Sequence, residues 1–352
     1  MPAPHNPFKA ALRAGKPQMG CWLGLADPYV AEISASAGFD WLLIDAEHAP
    51  NDLRSIIAQL QVIAASGSHP IVRPTIGETW MIKQLLDAGA QTLLVPMVES
   101  ADQARDLVKA VTYPPHGVRG VGASLARASR FAAIPDYLTT AGNEICLLVQ
   151  VENLAGLAAL DEILTIEGVD GVFIGPADLA ADMGFLGQAT APEVEAAILD
   201  AMRKIVASGK AGGILTMSPT LQKSCLEIGA TFVATAIDVS LFASAIRASA
   251  KAALSLLPDQ VAAGHAITEN ASKYLQQLCK HWSHKAKAEF DAQQGTLVFD
   301  SGNRLVLTAT PERLTLTATV GPRGDLARWQ SVIEAHLQRF AFREELTLTW
   351  DA

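Results

Sequence analysis

The stretch Trp41-Leu42-Leu43-Ile44-Asp45-Ala46-Glu47-His48 runs four large apolar residues straight into three ionisable ones around an alanine. Such a run reads as a strand buried on both faces, as in a parallel sheet. Seven more apolar segments recur, at 21–25, 69–74, 92–97, 145–152, 171–174, 212–216 and 232–237. Stretches with apolar residues at helical spacing lie between them, at 28–37, 53–65, 79–88, 100–110, 154–163, 192–207 and 220–228. Several of these helices reach the next strand through a glycine, Gly38, Gly89, Gly209 or Gly229, where a helix end favours a left-handed residue. Strand then helix, repeated around the chain, predicts an α/β fold, a closed (β/α)8 TIM barrel. The rival is an open doubly wound sheet. It loses its main support because no G-x-G-x-x-G follows the first strand.

The chain has 352 residues, enough for a barrel of about 250 and a second domain of roughly 90. The pattern changes near residue 257. Residues 1–256 are assigned to the barrel, 257–266 to a linker containing Pro258, Asp259 and Gly264, and 267–352 to a small α+β domain. That domain reads as a helix at 270–285, strands around 287–290, 296–299, 305–310 and 314–320, a helix at 325–340 and a strand at 346–350. The alternation Leu314-Thr315-Leu316-Thr317 indicates a sheet with one wet face.

Hydrophobic residues make up 50% of the chain, which allows a large core, and the formal net charge is −9. No basic surplus drives contact with nucleic acid or an anionic membrane. The four cysteines lie far apart without a C-x-x-C pair, so thiols in a reducing compartment are expected rather than disulfides. Residues 1–16 lack the apolar block of a signal peptide, and no run reaches membrane-spanning length. A cytoplasmic protein is expected.

Catalytic groups of a barrel sit where strands meet the following loops. His48 after the second strand suits proton transfer near neutral pH, with Asp45 and Glu47 beside it. Arg73 at the end of the third strand places a fixed positive charge suited to a carboxylate or a developing enolate oxygen, or to a salt bridge with Asp45 or Glu47. Gln150 and Glu152 share a face at the end of the fifth strand. The sixth runs into Gly175-Pro176-Ala177-Asp178, so Glu152 and Asp178 come from neighbouring strand ends. Two carboxylates there need a proton or a cation between them. Both an oxygen-liganded Mg²⁺ or Mn²⁺ and an acid/base pair fit this spacing. The turn also offers the backbone amides of Ala177 and Asp178 to an anion. A long connection, 111–142, carries prolines, glycines and arginines with anion-binding potential.

These strand ends resemble the HpcH/HpaI aldolase family over about residues 6–252. The carrying strings are Trp22-Leu23-Gly24-Leu25, Asp45-Ala46-Glu47-His48-Ala49-Pro50, Lys83-Gln84-Leu85-Leu86-Asp87-Ala88-Gly89-Ala90, Tyr113-Pro114-Pro115 with Gly117-Val118-Arg119-Gly120, and Gly175-Pro176-Ala177-Asp178-Leu179. The resemblance runs especially to class II pyruvate aldolases of aromatic-acid catabolism that cleave 4-hydroxy-2-oxoheptanedioate to pyruvate and succinic semialdehyde. It implies Glu152 and Asp178 as ligands of a divalent ion (Mg, Mn or Co), His48 as general base, and Asp87 supporting it across a subunit boundary. It implies Arg73 at the pyruvyl oxygen, and Gln150 lining the metal and substrate site. Ser124, Ala177 and Asp178 would hold the pyruvate carboxylate, with Asp45 in the network around the ion. A homohexamer, a trimer of dimers, is the implied assembly. Other branches of chemistry are a related lyase on a sugar-derived 2-oxo-3-deoxy acid or a CoA thioester, and a non-catalytic barrel scaffold carrying a binding domain. Family members commonly carry glycine where this chain has Ala46. A left-handed conformation there would make alanine costly.

Residues 267–350 resemble a small uncharacterised domain family also found attached to siderophore-interacting proteins. The resemblance rests on Ala271-Ser272-Lys273-Tyr274-Leu275, Leu278-Cys279-Lys280-His281 and Arg339-Phe340-Ala341-Phe342-Arg343-Glu344. It supplies no chemistry. An accessory or oligomerisation module is expected.

Overall fold

A computed structural model describes residues 1–342 and 344–351. Eight strands close into a barrel in sequence order: β1 (Gln18–Leu23), β2 (Trp41–Asp45), β3 (His69–Arg73), β4 (Thr92–Val95), β5 (Cys146–Val151), β6 (Gly171–Ile174), β7 (Ala211–Leu215) and β8 (Phe232–Ile237). Each runs parallel to its neighbours, and β8 closes on β1. The predicted segments match these strands, but β1 begins at Gln18, ahead of the predicted start. Gly38, Gly89, Gly209 and Gly229 all take positive φ, at 92°, 104°, 82° and 111°.

Side-chain alternation sorts each strand into two columns. Leu42, Ile44, Val72, Leu93, Leu147 and Val149 face outward and pack with the buried faces of the surrounding helices, such as Ile56, Leu60 and Ile63 of Leu53–Ile63. Trp41, Leu43, Ile71, Cys146, Leu148 and Phe173 fill the inside. Gly20 leaves room for the Trp41 ring; a Cβ there would lie 2.1 Å from it. The lower end is closed by Phe8, from a helix Pro7–Arg13 that the sequence reading missed. Phe8 stacks on His69 at 5.5 Å and meets Trp41 and Phe232 edge-on at 6.2 and 6.3 Å.

Burial in this plug pushes the His69 imidazole down to about 4, and its Nε2 lies 2.8 Å from Thr92 Oγ1. The unfolded chain takes up a proton near pH 6.5 that the native chain refuses until about pH 4. The stabilisation is therefore complete above pH 6.5 and falls by up to about 1.4 kcal/mol per pH unit between those values. Urea midpoints should fall more steeply from pH 6.5 to 4 in the parent than in His69→Gln. Parallel slopes would assign the acid sensitivity to other groups.

The chain divides into two compact units, Met1–Ser244 and Ala245–Ala352. The division falls inside the helix Asp238–Leu254 rather than near residue 257. The second unit holds a six-stranded sheet in the order β10-β11-β12-β13-β9-β14. Its strands are β9 (Gln260–Ile267), β10 (Ala286–Phe290), β11 (Gln294–Phe299), β12 (Arg304–Ala309), β13 (Arg313–Val320) and β14 (Thr349–Trp350). Helices Ala271–Trp282 and Leu326–Phe340 supply the other half of its core. The linker expected at 257–266 is corrected here: β9 occupies most of it, between β13 and β14. Ala262, Gly264 and Ala266 alternate inward like any strand, but their small side chains carry little apolar signal. Trp350 packs so closely over Gly264 that a Cβ would meet its ring at 2.7 Å. Arg343 of the second resemblance lies outside the described residues.

Candidate active site

The inward columns end in polar groups. Trp41-Leu43 leads to Asp45, Ile71 to Arg73, and Cys146-Leu148 to Gln150. Arg73 is buried and gives Asp45 two parallel bonds, Nε to Oδ1 at 2.9 Å and Nη2 to Oδ2 at 2.7 Å. Its Nη1 lies 2.7 Å from Glu47 Oε2, and the guanidinium sits 5.0 Å from the centre of the Trp22 ring. The indole N–H of Trp22 donates to Asp45 Oδ2 at 3.2 Å. Burial pushes the Asp45 carboxyl up, but the hydrogen bonds and charge of Arg73 hold it below its usual range. Burial prevails at Glu47, whose carboxyl is raised although Arg73 faces it.

Glu152 is buried at the end of β5. Its Oε1 accepts the Met97 amide at 2.8 Å, and its Oε2 accepts from the Gln150 side-chain amide. Met97 adopts a left-handed φ of 53°, a conformation uncommon outside glycine. Burial pushes the Glu152 carboxyl up to about 7; nearby Glu47 and Asp178 push the same way, against the bonds from Gln150 and Met97. Gly175 leaves room for this group, because a Cβ there would lie 2.5 Å from Glu152 Oε2. Asp178 lies in the first turn of the helix Pro176–Asp182, whose leading amides have no partner within the helix.

The donor set fits a hard divalent cation. Arg73 is committed to Asp45 and Glu47, while Glu152 and Asp178 repel each other and have no cationic partner among the described residues. Gln150 Oε1 is buried and without a hydrogen-bond partner beside Glu152. Among the described residues no three His, Cys, Asp or Glu side chains form an all-protein metal cage. Mg²⁺ commonly takes one or two carboxylates and completes its shell with water and substrate oxygens.

The structure thus gathers Asp45, Glu47, Arg73, Gln150 and Glu152, with Asp178 near enough to act on Glu47 and Glu152. His48 is exposed, with Nε2 3.7 Å from Glu47 Oε2. Among the described residues Asp87 is not paired with His48. It pairs at 3.2 Å with Arg119, which is fully buried and lies 4.4 Å from the centre of the Tyr113 ring. Ser124 is exposed on the short helix Ala123–Leu125. Ala46 has no positive φ, so alanine carries no backbone strain there; it lines a cavity of about 200 Å³ with Pro74 and Trp80. The sequence reading missed Trp22 as the platform under Arg73 and Met97 as a donor to Glu152. Trp22 opens the first of the strings that carry the family resemblance, but nothing in the sequence marks the turn of backbone at Met97.

Residues 18–245 match the HpcH/HpaI aldolase/citrate lyase family. The chain belongs to that family. A hydroxypyruvate/pyruvate aldolase of Agrobacterium fabrum is 60% identical over 248 residues, covering 70% of this chain and 93% of the relative. A 4-hydroxy-2-oxo-heptane-1,7-dioate aldolase of Escherichia coli is 57% identical over 246 residues, covering 70% and 94%. The crystal structure of an HpcH/HpaI aldolase/citrate lyase family protein from Burkholderia cenocepacia superposes with a TM-score of 0.68 at 39% identity, covering 70% of this chain and 99% of that one. This HpcH/HpaI aldolase is a carbon–carbon lyase. Its residues 263–351 match a family described as an uncharacterized protein conserved in bacteria (DUF2218). Among the described residues no helix is long and apolar enough to cross a membrane.

Proposed function

We propose that the barrel is a divalent-metal-dependent class II pyruvate aldolase. It cleaves 4-hydroxy-2-oxo acids to pyruvate and an aldehyde, and runs the addition in reverse. The carrying observation is the buried Glu152 near Asp178 and the unpartnered Gln150 oxygen, acceptors with no cationic partner among the described residues. Glu152 and Asp178 would hold the ion. When bound, it supplies Lewis-acid polarisation of the 2-oxo group.

The first-turn amides of Ala177 and Asp178 hold the substrate carboxylate. Arg73, fixed by Asp45 and Glu47, sets its positive charge where the C2 oxygen gains negative charge. His48 takes the C4 hydroxyl proton, the C3–C4 bond breaks, and the aldehyde leaves. The bonding pair passes to C3 and the C2 oxygen as an enolate, and a proton delivered to C3 gives pyruvate. Asp87 enters this reading from a second copy, in the hexamer that the family resemblance implies, and Ser124 helps to hold the pyruvate carboxylate. Lys210 serves no Schiff base in this scheme: its Nζ donates to the carbonyls of Ile166 and Val169, ahead of β7 rather than at its end. The relatives' names support pyruvate or hydroxypyruvate as the nucleophilic half and succinic semialdehyde among the aldehydes.

Metal removal tests the reading. Pyruvate release from a panel of 4-hydroxy-2-oxo acids should fall about 100-fold or more after chelation, a loss of roughly 3 kcal/mol in barrier lowering. It should return on adding Mg²⁺, Mn²⁺ or Co²⁺. Activity that survives verified metal removal rejects the proposal.

A further inference from the structure

A second cavity, of about 600 Å³, lies at the end of the barrel where β3 and β4 begin, opposite the end that carries Arg73 and Glu152. It is within the size range of small-molecule sites, roughly 300–1,000 Å³. His69 and Pro70 at the start of β3, and Ala90 and Gln91 just before β4, form part of its wall. The rest comes from the amino-terminal residues and the loop around Arg127–Phe131.

The electrostatics of this cavity oppose those of the chain. The protein carries a net charge of −9, yet the fixed charges lining this cavity are Arg127 and Arg130, with no Asp or Glu; His69 lines it as a neutral imidazole. His5 is paired outside the lining, with Glu144 at 3.2 Å. Arg127 is half-buried, and its Nη1 donates to the Ala88 carbonyl at 3.1 Å. No carboxylate pairs with it among the described residues, and burial alone pulls its pKa down. A guanidinium has five N–H donors, so most of its capacity remains unused. Arg130 is exposed and has no ion-pair partner among the described residues.

The loop holding these cations is built at a conformational cost. Arg130, Phe131 and Ala132 are three consecutive non-glycine residues with positive φ, at 53°, 56° and 68°. The buried Ser129 hydroxyl holds them by bonding to the Ala123 and Ala126 carbonyls and accepting the Ala132 amide. Phe131 is left 71% exposed at the rim of the cavity.

We propose that this cavity binds a small organic anion. Its phosphate or carboxylate headgroup sits between Arg127 and Arg130, with its apolar body against Leu60, Pro70, Phe131 and Tyr137. One half-buried and one exposed guanidinium, neither paired with a carboxylate among the described residues, recognise such a headgroup by charge-assisted hydrogen bonds. The aromatic and aliphatic wall accounts for an apolar body rather than a bare inorganic ion.

Calorimetric titration of the full chain with phenyl phosphate, and in parallel with benzoate, tests this at low salt. One equivalent should bind, and binding should persist when the mouth is occupied by Mg²⁺ and pyruvate. Arg130→Glu should weaken it about tenfold or more while keeping the parent's aldolase turnover and thermal midpoint. Arg127→Gln should weaken it similarly and guards against a local effect of the first substitution. Preference for phenyl phosphate identifies a phosphate headgroup, and preference for benzoate a carboxylate. No heat with either probe, competition by pyruvate, or unchanged affinity in both variants overturns the proposal. So does a change of oligomeric state in Arg130→Glu without ligand heat in the parent, which would make this face a contact between copies.

Discussion

Glu152→Gln is expected to lower aldol turnover by about three orders of magnitude while the barrel stays folded. The substitution keeps the shape of the side chain and removes its charge. An ion at this mouth contributes several kcal/mol of charge stabilisation, and each 1.36 kcal/mol is a factor of about ten in rate. Stability should hold or rise slightly. Burial pushes this carboxyl up to about 7, and Glu47 and Asp178 oppose its charge. Calorimetry with Mg²⁺ should show binding lost or greatly weakened. Turnover within tenfold of the parent would remove Glu152 from the ion's ligands.

Arg73→Met should damage the protein twice. The guanidinium is buried and serves Asp45 and Glu47 together, at 2.7 Å each through Nη2 and Nη1. Its loss leaves two carboxylates in a poorly solvated wall, which costs about 3–5 kcal/mol in comparable buried pairs. Turnover should also fall about 10²–10³-fold, the scale of removing one donor from a developing oxyanion. Lysine cannot restore either property, because an ammonium does not reproduce the fork that grips Asp45 through Nε and Nη2. The triple variant Arg73→Met with Asp45→Asn and Glu47→Gln separates the effects. Urea unfolding should recover most of the stability, while kcat stays low. If kcat recovers with stability, Arg73 acts only as a structural counter-ion.

The barrel was legible because its strands are continuous apolar runs, and the mouth was legible from what ends them. Asp45, Arg73 and Gln150 each follow an inward-facing apolar residue by two positions, so strand alternation alone aims them into one space. Other features have no local signature. Ala262, Ala263 and Gly264 are too small to show which way a strand faces, so β9 looks like a linker in the sequence. The Asp87–Arg119 pair joins residues 32 apart through the fold of a long loop. Met97 is left-handed where its amide reaches Glu152, a contact between the segments that follow β4 and β5. The Ala46 question could be answered only by its backbone angle.

The aromatic stopper formed by Phe8, Trp41 and Phe232 is the lowest layer of a barrel filled with side chains, so no passage runs through it. In the proposed reaction, reactants and products would share the upper entrance. Loop changes there can redefine which molecules are admitted without disturbing the floor that holds the staves together. Anything lodged beneath that floor can influence the reaction only by leaning on the strands themselves.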